Sequence, residues 1–212
     1  MKKGCPRWKQ VLSTTNHGSH LFDEFEMRAK NASATVFRVK TIVEARETLL
    51  QFVKDANVNK VVAADSLLQQ AAGINDAIKS LGINVYSKPS EIAIHAETAD
   101  IGISGVEFGI AEAGSVCQDA SSIESRLVST LPPIHVVFFN STNIVPGIED
   151  AMNILSETYD RGYISFITGP SRTADIERVL TVGVHGPSRL IIIAVDEQVE
   201  GGVEAWKENT AI

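Results

Sequence analysis

Short apolar runs set between amphipathic segments constrain this chain most. Leu190-Ile-Ile-Ile-Ala-Val195 has no polar face, and Ile134-His-Val-Val-Phe-Phe139 and Val61-Val-Ala-Ala64 are nearly as uniform. Such runs read as strands of a parallel sheet covered on both faces. Ala34–Val39, Asn84–Tyr86 and Tyr163–Thr168 read as further strands. Between them lie helical signals. Thr41-Ile-Val-Glu44 and Ser121-Ser-Ile-Glu124 are capping boxes, opening helices expected to reach about Ala56 and Thr130. Ser66 to Leu81 reads as one helix ending at Gly82, Ile148 to Tyr159 as another, and Thr173 to Val184 as a third. Repeated strand–helix alternation requires right-handed crossovers. The predicted class is α/β: a three-layer sandwich with a mainly parallel sheet and a β-hairpin insertion.

The insertion is expected at Asp100–Cys117, where Gly102, Gly105, Gly109 and Gly114 are too dense for a stable helix. Two strands joined by a loop around Val106–Phe108 fit it better. The glycines mark bends or places where something approaches the backbone, Gly105 among them. Residues 1–30 read as an N-terminal helical arm, with Leu21, Phe22, Phe25 and Ala29 on one helix face. Residues 31–198 form the main domain and 199–212 an acidic tail.

A net charge of −7 without a basic stripe argues against nucleic acid and anionic membrane surfaces as partners. No run is long enough to insert in a membrane, and the polar N-terminus lacks a signal-peptide core, so the expected location is cytoplasmic. Cys5 and Cys117 are the only cysteines. They form neither a C-x-x-C pair nor a disulfide framework, and five scattered histidines show no metal-ligand spacing. No metal or cofactor is expected in this chain.

Thr168-Gly-Pro-Ser-Arg-Thr-Ala-Asp-Ile-Glu177 follows a strand and opens the expected helix. Gly169, Ser171, Arg172 and Thr173 are candidate anion ligands at the carboxyl edge of the sheet, with Asp175 in the same segment. The simpler reading is a helix cap, in which Asp175 and Glu177 complement the dipole. His185, in Gly183-Val-His-Gly-Pro187, is a candidate acid/base or a histidine placed at a helix end. Glu112, between small apolar residues, is a candidate proton-transfer group or a solvent-facing hairpin residue. Arg126 and His135 lie in Arg126-Leu-Val-Ser-Thr-Leu-Pro-Pro-Ile-His135. A buried His135 would bond to backbone, and an inward Arg126 would need a carboxylate such as Glu112.

Together, Ala111-Glu-Ala-Gly114, Arg126–His135, Thr168–Glu177 and Gly183–Pro187 resemble the LUD domain in order and spacing, over roughly Phe22 to Val195. One departure is Ala113, where the family often has threonine after the glutamate. The resemblance implies a fold similar to sugar-phosphate isomerases, CoA-transferases and the folate cyclo-ligase. It also implies a cytoplasmic part in oxidising L-lactate to pyruvate, beside companion subunits that carry iron–sulfur clusters. A small anionic metabolite is the implied ligand. Two other classes stay open: a non-catalytic assembly module, and a stand-alone enzyme on a phosphorylated or CoA-linked acid.

Overall fold

The computed structural model describes residues 19–158, 163–174 and 180–199. Residues 1–18 of the expected arm, 200–212 of the expected tail, and Asp175 lie outside the described residues.

The apolar runs form a six-stranded, all-parallel sheet. Its strands are β1 (Thr35–Val39), β2 (Lys60–Ala63), β3 (Asn84–Tyr86), β4 (Ile101–Gly105), β7 (Ile134–Asn140) and β12 (Arg189–Val195). Their spatial order is β1-β12-β7-β4-β2-β3. Both faces are buried, as uniform apolar runs require. Ile191, Ile193, Val136 and Phe138 face one side, packing under α2 (Ile42–Asp55), α3 (Leu67–Ala71) and α4 (Ile74–Lys79). Leu190, Ile192, Val137 and Phe139 face the other, under α1 (Phe22–Asn31). Val62 and Ala64 on that second side pack against α5 (Pro89–His95) and α6 (Ile123–Thr130).

A second sheet lies on the α1 side, with order β8-β5-β6-β9: β5 (Phe108–Ile110), β6 (Ser115–Asp119), β8 (Ile144–Val145) and β9 (Ile164–Ile167). Its outer face is covered by α7 (Ile148–Thr158), through Ala151, Ile154 and Leu155 on Phe108, Ile110 and Cys117. The architecture is the predicted three-layer α/β sandwich with a hairpin insertion.

Several elements differ from the sequence reading. The glycine-rich stretch holds three strands, not two. Residues 101–105 complete the parallel ladders with β2 and β7. Val106 and Glu107 then carry the chain to the second sheet, and the hairpin turns at 111–114. The Tyr163–Thr168 strand lies in the second sheet, antiparallel to β6. It is only half-buried, so its apolar residues do not mark a central strand. The Ser66–Leu81 helix breaks at Gly73, whose φ of 61° ends one turn and opens another. Residues 172–184 are not helical where described. β10 (Arg172–Ala174) and β11 (Leu180–Val182) pair antiparallel as a separate ribbon. Thr173 and Thr181, directly paired and both β-branched, suit strands better than helix.

The helix of the expected arm belongs to the core. Phe22, Phe25 and Ala29 are buried, and the Phe25 ring meets Phe139 edge-on at 5.6 Å.

Candidate functional site

In an open parallel sheet, ligands bind beyond the carboxyl ends of two neighbouring strands whose onward connections leave to opposite faces. Here β2 meets that condition with both of its neighbours: the helix after β2 packs on one face, and the elements after β4 and β3 pack on the other. Gly105 ends β4 and Ser66 begins the turn into α3. A Cβ at Gly105 would sit 2.6 Å from Ser66 Cβ, so the two segments meet as closely as a glycine permits.

Ser66 caps α3, its Oγ accepting the Gln69 N–H at 3.4 Å. Ser-Leu-Leu-Gln is a capping-box sequence, in which the glutamine would normally bond back to the cap. Instead Gln69 is 2% exposed and neither atom of its side-chain amide has a hydrogen-bond partner. The helix α3 rests on β4 and β7. Sequence reasoning singled out Gly105 but missed Gln69. Its one signal was the capping box itself.

Glu107 follows two residues beyond β4. Its N–H donates to Cys117 O at 2.9 Å, although Cys117 registers with Phe108, so two residues face one in the manner of a bulge. Its carboxyl accepts the Asp119 N–H at 3.3 Å. Burial pushes the carboxyl up, the Asp119 charge adds to this, and the Asp119 N–H opposes it, leaving a pKa of about 8. The side chain is half-buried by surface but closely enclosed by protein. At neutral pH this group holds a proton. Burial, then the charges of Glu107 and Asp119, also raise the Cys117 thiol far above its usual range, which leaves it unreactive.

Between the two sheets lies a buried polar group. Ser104 Oγ and His135 Nε2 are 2.9 Å apart, and Gln118 Nε2 donates to Ser104 Oγ at 3.0 Å. His135 therefore bonds a side chain, where backbone was expected. Burial lowers its pKa to about 3, so the ring is neutral, and its Nδ1 and Gln118 Oε1 have no partner. Farther along the carboxyl edge, Asn140, Thr142 and Gln198 bond to one another, and Asp196 pairs with Arg38 at 2.9 Å.

The remaining predicted residues occupy separate places. Glu112 is exposed and its Oε1 accepts the Ile148 N–H at 2.9 Å, so it caps α7. Arg126 lies over the Tyr163 ring at 4.6 Å, not against Glu112. Arg172 donates through Nη2 to Ala32 O at 2.9 Å and to Ser33 Oγ, closing the end of α1. Gly169 and Gly114 press on the same helix end. Added Cβ atoms would lie 2.0 Å from Ala32 O and 2.2 Å from Ala29 N, and both glycines have positive φ. Ser171 brackets the other motif: its N–H donates to Pro187 O at 2.8 Å and its O accepts the Gly183 N–H at 2.9 Å. Thr173 pairs with Thr181 in the ribbon, and His185 is exposed in the loop after it. With no helix at Arg172–Ala174, the helix-start and helix-end arguments for Ser171, Thr173 and His185 do not apply.

Comparison with known proteins accounts for this arrangement of motifs. The LUD domain family model matches residues 22–195. Lactate utilization protein C of Anoxybacillus flavithermus is 28% identical over 199 residues, covering 91% of this chain and 90% of its own. The protein of the same name from Macrococcus caseolyticus is 34% identical over 157 residues, covering 72% and 68%. The crystal structure of a DUF162 family protein from Deinococcus radiodurans shares the fold, with a TM-score of 0.58 at 19% identity over 84% of this chain and 97% of that one. The chain belongs to the LUD domain family.

Proposed function

We propose that this chain takes part in lactate utilisation as a subunit or accessory of an iron–sulfur system that oxidises L-lactate to pyruvate. The observation that carries the pathway is the set of relatives named lactate utilization protein C. In this reading the chain binds a small carboxylate metabolite beyond the carboxyl ends of β2 and β4, with Glu107 as the group that holds or accepts a proton. Clusters would sit on companion chains, because a four-thiolate site cannot be built from Cys5 and Cys117 alone. The Gly169–Thr173 loop remains a second proposed anion contact, with Arg172 shared between the ligand and α1.

The test is co-expression of the full chain with its candidate iron–sulfur partners. Copurification, and lactate oxidation that needs this chain, are the expected results. Full lactate oxidation by the companions alone would refute the reading.

One observation favours the assembly-module alternative. Gly114, Gly169 and Arg172, all in the family motifs, hold α1 in place. If Glu107→Gln leaves lactate oxidation intact while loss of α1 packing ends complex formation, that alternative wins. Turnover of a phosphorylated or CoA-linked acid by the isolated chain would instead support a stand-alone enzyme.

A further inference from the structure

The second sheet ends at β9, whose outer side is an open strand edge. The β6–β9 ladder fixes which backbone groups lie on that edge. Its register is Val116↔Ile167, Cys117↔Phe166, Gln118↔Ser165 and Asp119↔Ile164, and one step on, Ala120 N–H donates to Tyr163 O at 2.9 Å. Bonding alternates along an antiparallel pair, so Tyr163, Ser165 and Ile167 turn their N–H and C=O groups to β6. The β6 side agrees. Asp119 N–H donates to the Glu107 carboxyl and Cys117 O accepts the Glu107 N–H, both away from β9. Ile164 and Phe166 therefore turn their groups outward, where they meet no partner among the described residues.

Proteins blunt such edges with charge, proline, a bulge or a very short strand. The other sheet edges follow that rule: β8 has two residues, both buried, β3 has three, and β1 carries Arg38, paired with Asp196. Tyr163–Thr168 contains neither a charge nor a proline, and Tyr163 and Phe166 are 65% and 41% exposed.

Two copies of this edge complement each other. In an antiparallel pair about a two-fold axis at Ser165, Ile164 of one copy lies opposite Phe166 of the second copy, on the same face. Each such pair exchanges two N–H···O bonds, so the two pairs use every outward group of Ile164 and Phe166 in both copies. An aromatic side chain then meets a β-branched one, a favourable cross-strand pair, and no like charges are opposed along the strand. We propose that β9 is a homodimer edge, at which this chain pairs with a second copy of itself, Ile164–Ile167 against Ile164–Ile167, centred on Ser165. The proposal is independent of the metabolite assigned above.

The experiment is sedimentation equilibrium of the full chain over a range of concentrations, with a dimer as the expected species. Phe166→Pro removes an N–H that has no partner in the monomer, at an outward edge position where proline is tolerated. It should weaken dimerisation about tenfold or more, the factor carried by the lost hydrogen bonds, with the far-ultraviolet circular dichroism unchanged. Phe166→Lys, which charges the edge, is the second variant should proline disturb the strand. Ser165→Cys in a Cys5→Ser background tests the register. Residues paired across the axis without hydrogen bonds have Cα atoms about 4.5 Å apart, within disulfide reach, so mild oxidation should give a covalent dimer. A chain that is monomeric at every concentration overturns the proposal, as does a dimer that survives both Phe166 variants or one that yields no cross-link. A monomer that binds a companion chain through Phe166 also overturns it, by assigning the edge to a different partner.

Discussion

Glu107 and His135 make the stability of this protein depend on pH in an unusual way. Folding raises the Glu107 pKa from 4.5 to about 8 and lowers that of His135 from 6.5 to about 3. Between those two unfolded-state values, the folded chain keeps a proton on Glu107 and none on His135, while the unfolded chain does the opposite. Proton counts match, so stability is flat. Above pH 6.5 the folded state holds one proton more than the unfolded state, and stability falls as pH rises. Below pH 4.5 the unfolded state holds one more, and stability falls as pH drops. Each limb has a slope of about 1.4 kcal/mol per pH unit, or roughly 2 kcal/mol lost by pH 8 and again by pH 3. Asp196 adds to the acid limb alone, because bonds from Ser141 and Arg38 and the charges of Arg38 and Lys40 outweigh burial and hold its carboxyl low. Glu107→Gln removes one group and changes the shape of the curve. The alkaline limb should vanish and the acid limb should begin near pH 6.5. Since Glu107 keeps some solvent contact, the variant's gain at pH 8 should be about 2 to 5 kcal/mol, the upper figure being the full shift. Urea unfolding followed by far-ultraviolet circular dichroism from pH 3 to 9 measures both curves. Wild-type stability that is level between pH 6.5 and 8, or an alkaline limb that persists in Glu107→Gln, would refute the assignment of these protons.

Other perturbations test the core and the proposed site. Phe25→Ala empties a fully buried site between α1 and Phe139, and should cost about 3–5 kcal/mol in urea unfolding. Gly169→Ala places a Cβ 2.0 Å from Ala32 O at a φ of 66°, so α1 should loosen, seen as faster amide exchange across Phe22–Asn31. Arg172→Ala should cost about 1 kcal/mol through its bonds to Ala32 and Ser33. A loss of ligand affinity in that variant, with no loss of stability, would restore Arg172 as mainly an anion clamp. Gly105→Ala forces Ser66 aside and should weaken metabolite binding measured by calorimetry, while the fold persists by circular dichroism.

The sequence by itself determined the parts whose environment is uniform or local. Leu190–Val195 and Ile134–Phe139 had to be strands covered on both faces, since a chain cannot leave such runs in water. Thr41 caps α2 with its own side chain as its capping box predicts, because capping is settled within four residues, whereas the box expected at Ser121–Glu124 is shifted by one: Ser122 caps α6 through the Ser125 N–H, and Ser121 bonds Asp119 instead. The motifs in Ala111–Gly114, Arg126–His135, Thr168–Glu177 and Gly183–Pro187 marked the family. Pro89 at the start of α5, with Glu91 bonding back to Lys88, was an equally local signal for a helix that the sequence reading passed over.

Only the tertiary structure decided which neighbours those residues meet. Residues 172–174 and 180–182 pair antiparallel, so the stretch expected to be a helix is a ribbon where it is described, once a partner strand is within reach. Arg172 bonds α1 and Glu112 caps α7, contacts that span 140 and 36 residues of sequence. The protonation of Glu107 depends on burial and on Asp119, which the second sheet brings alongside. Gln69 drew no notice in the sequence, and it is the packing of α3 against β4 and β7 that buries its amide without a partner. Local hydrogen bonding is written over a few residues of sequence. Desolvation and long-range pairing exist only once the layers close.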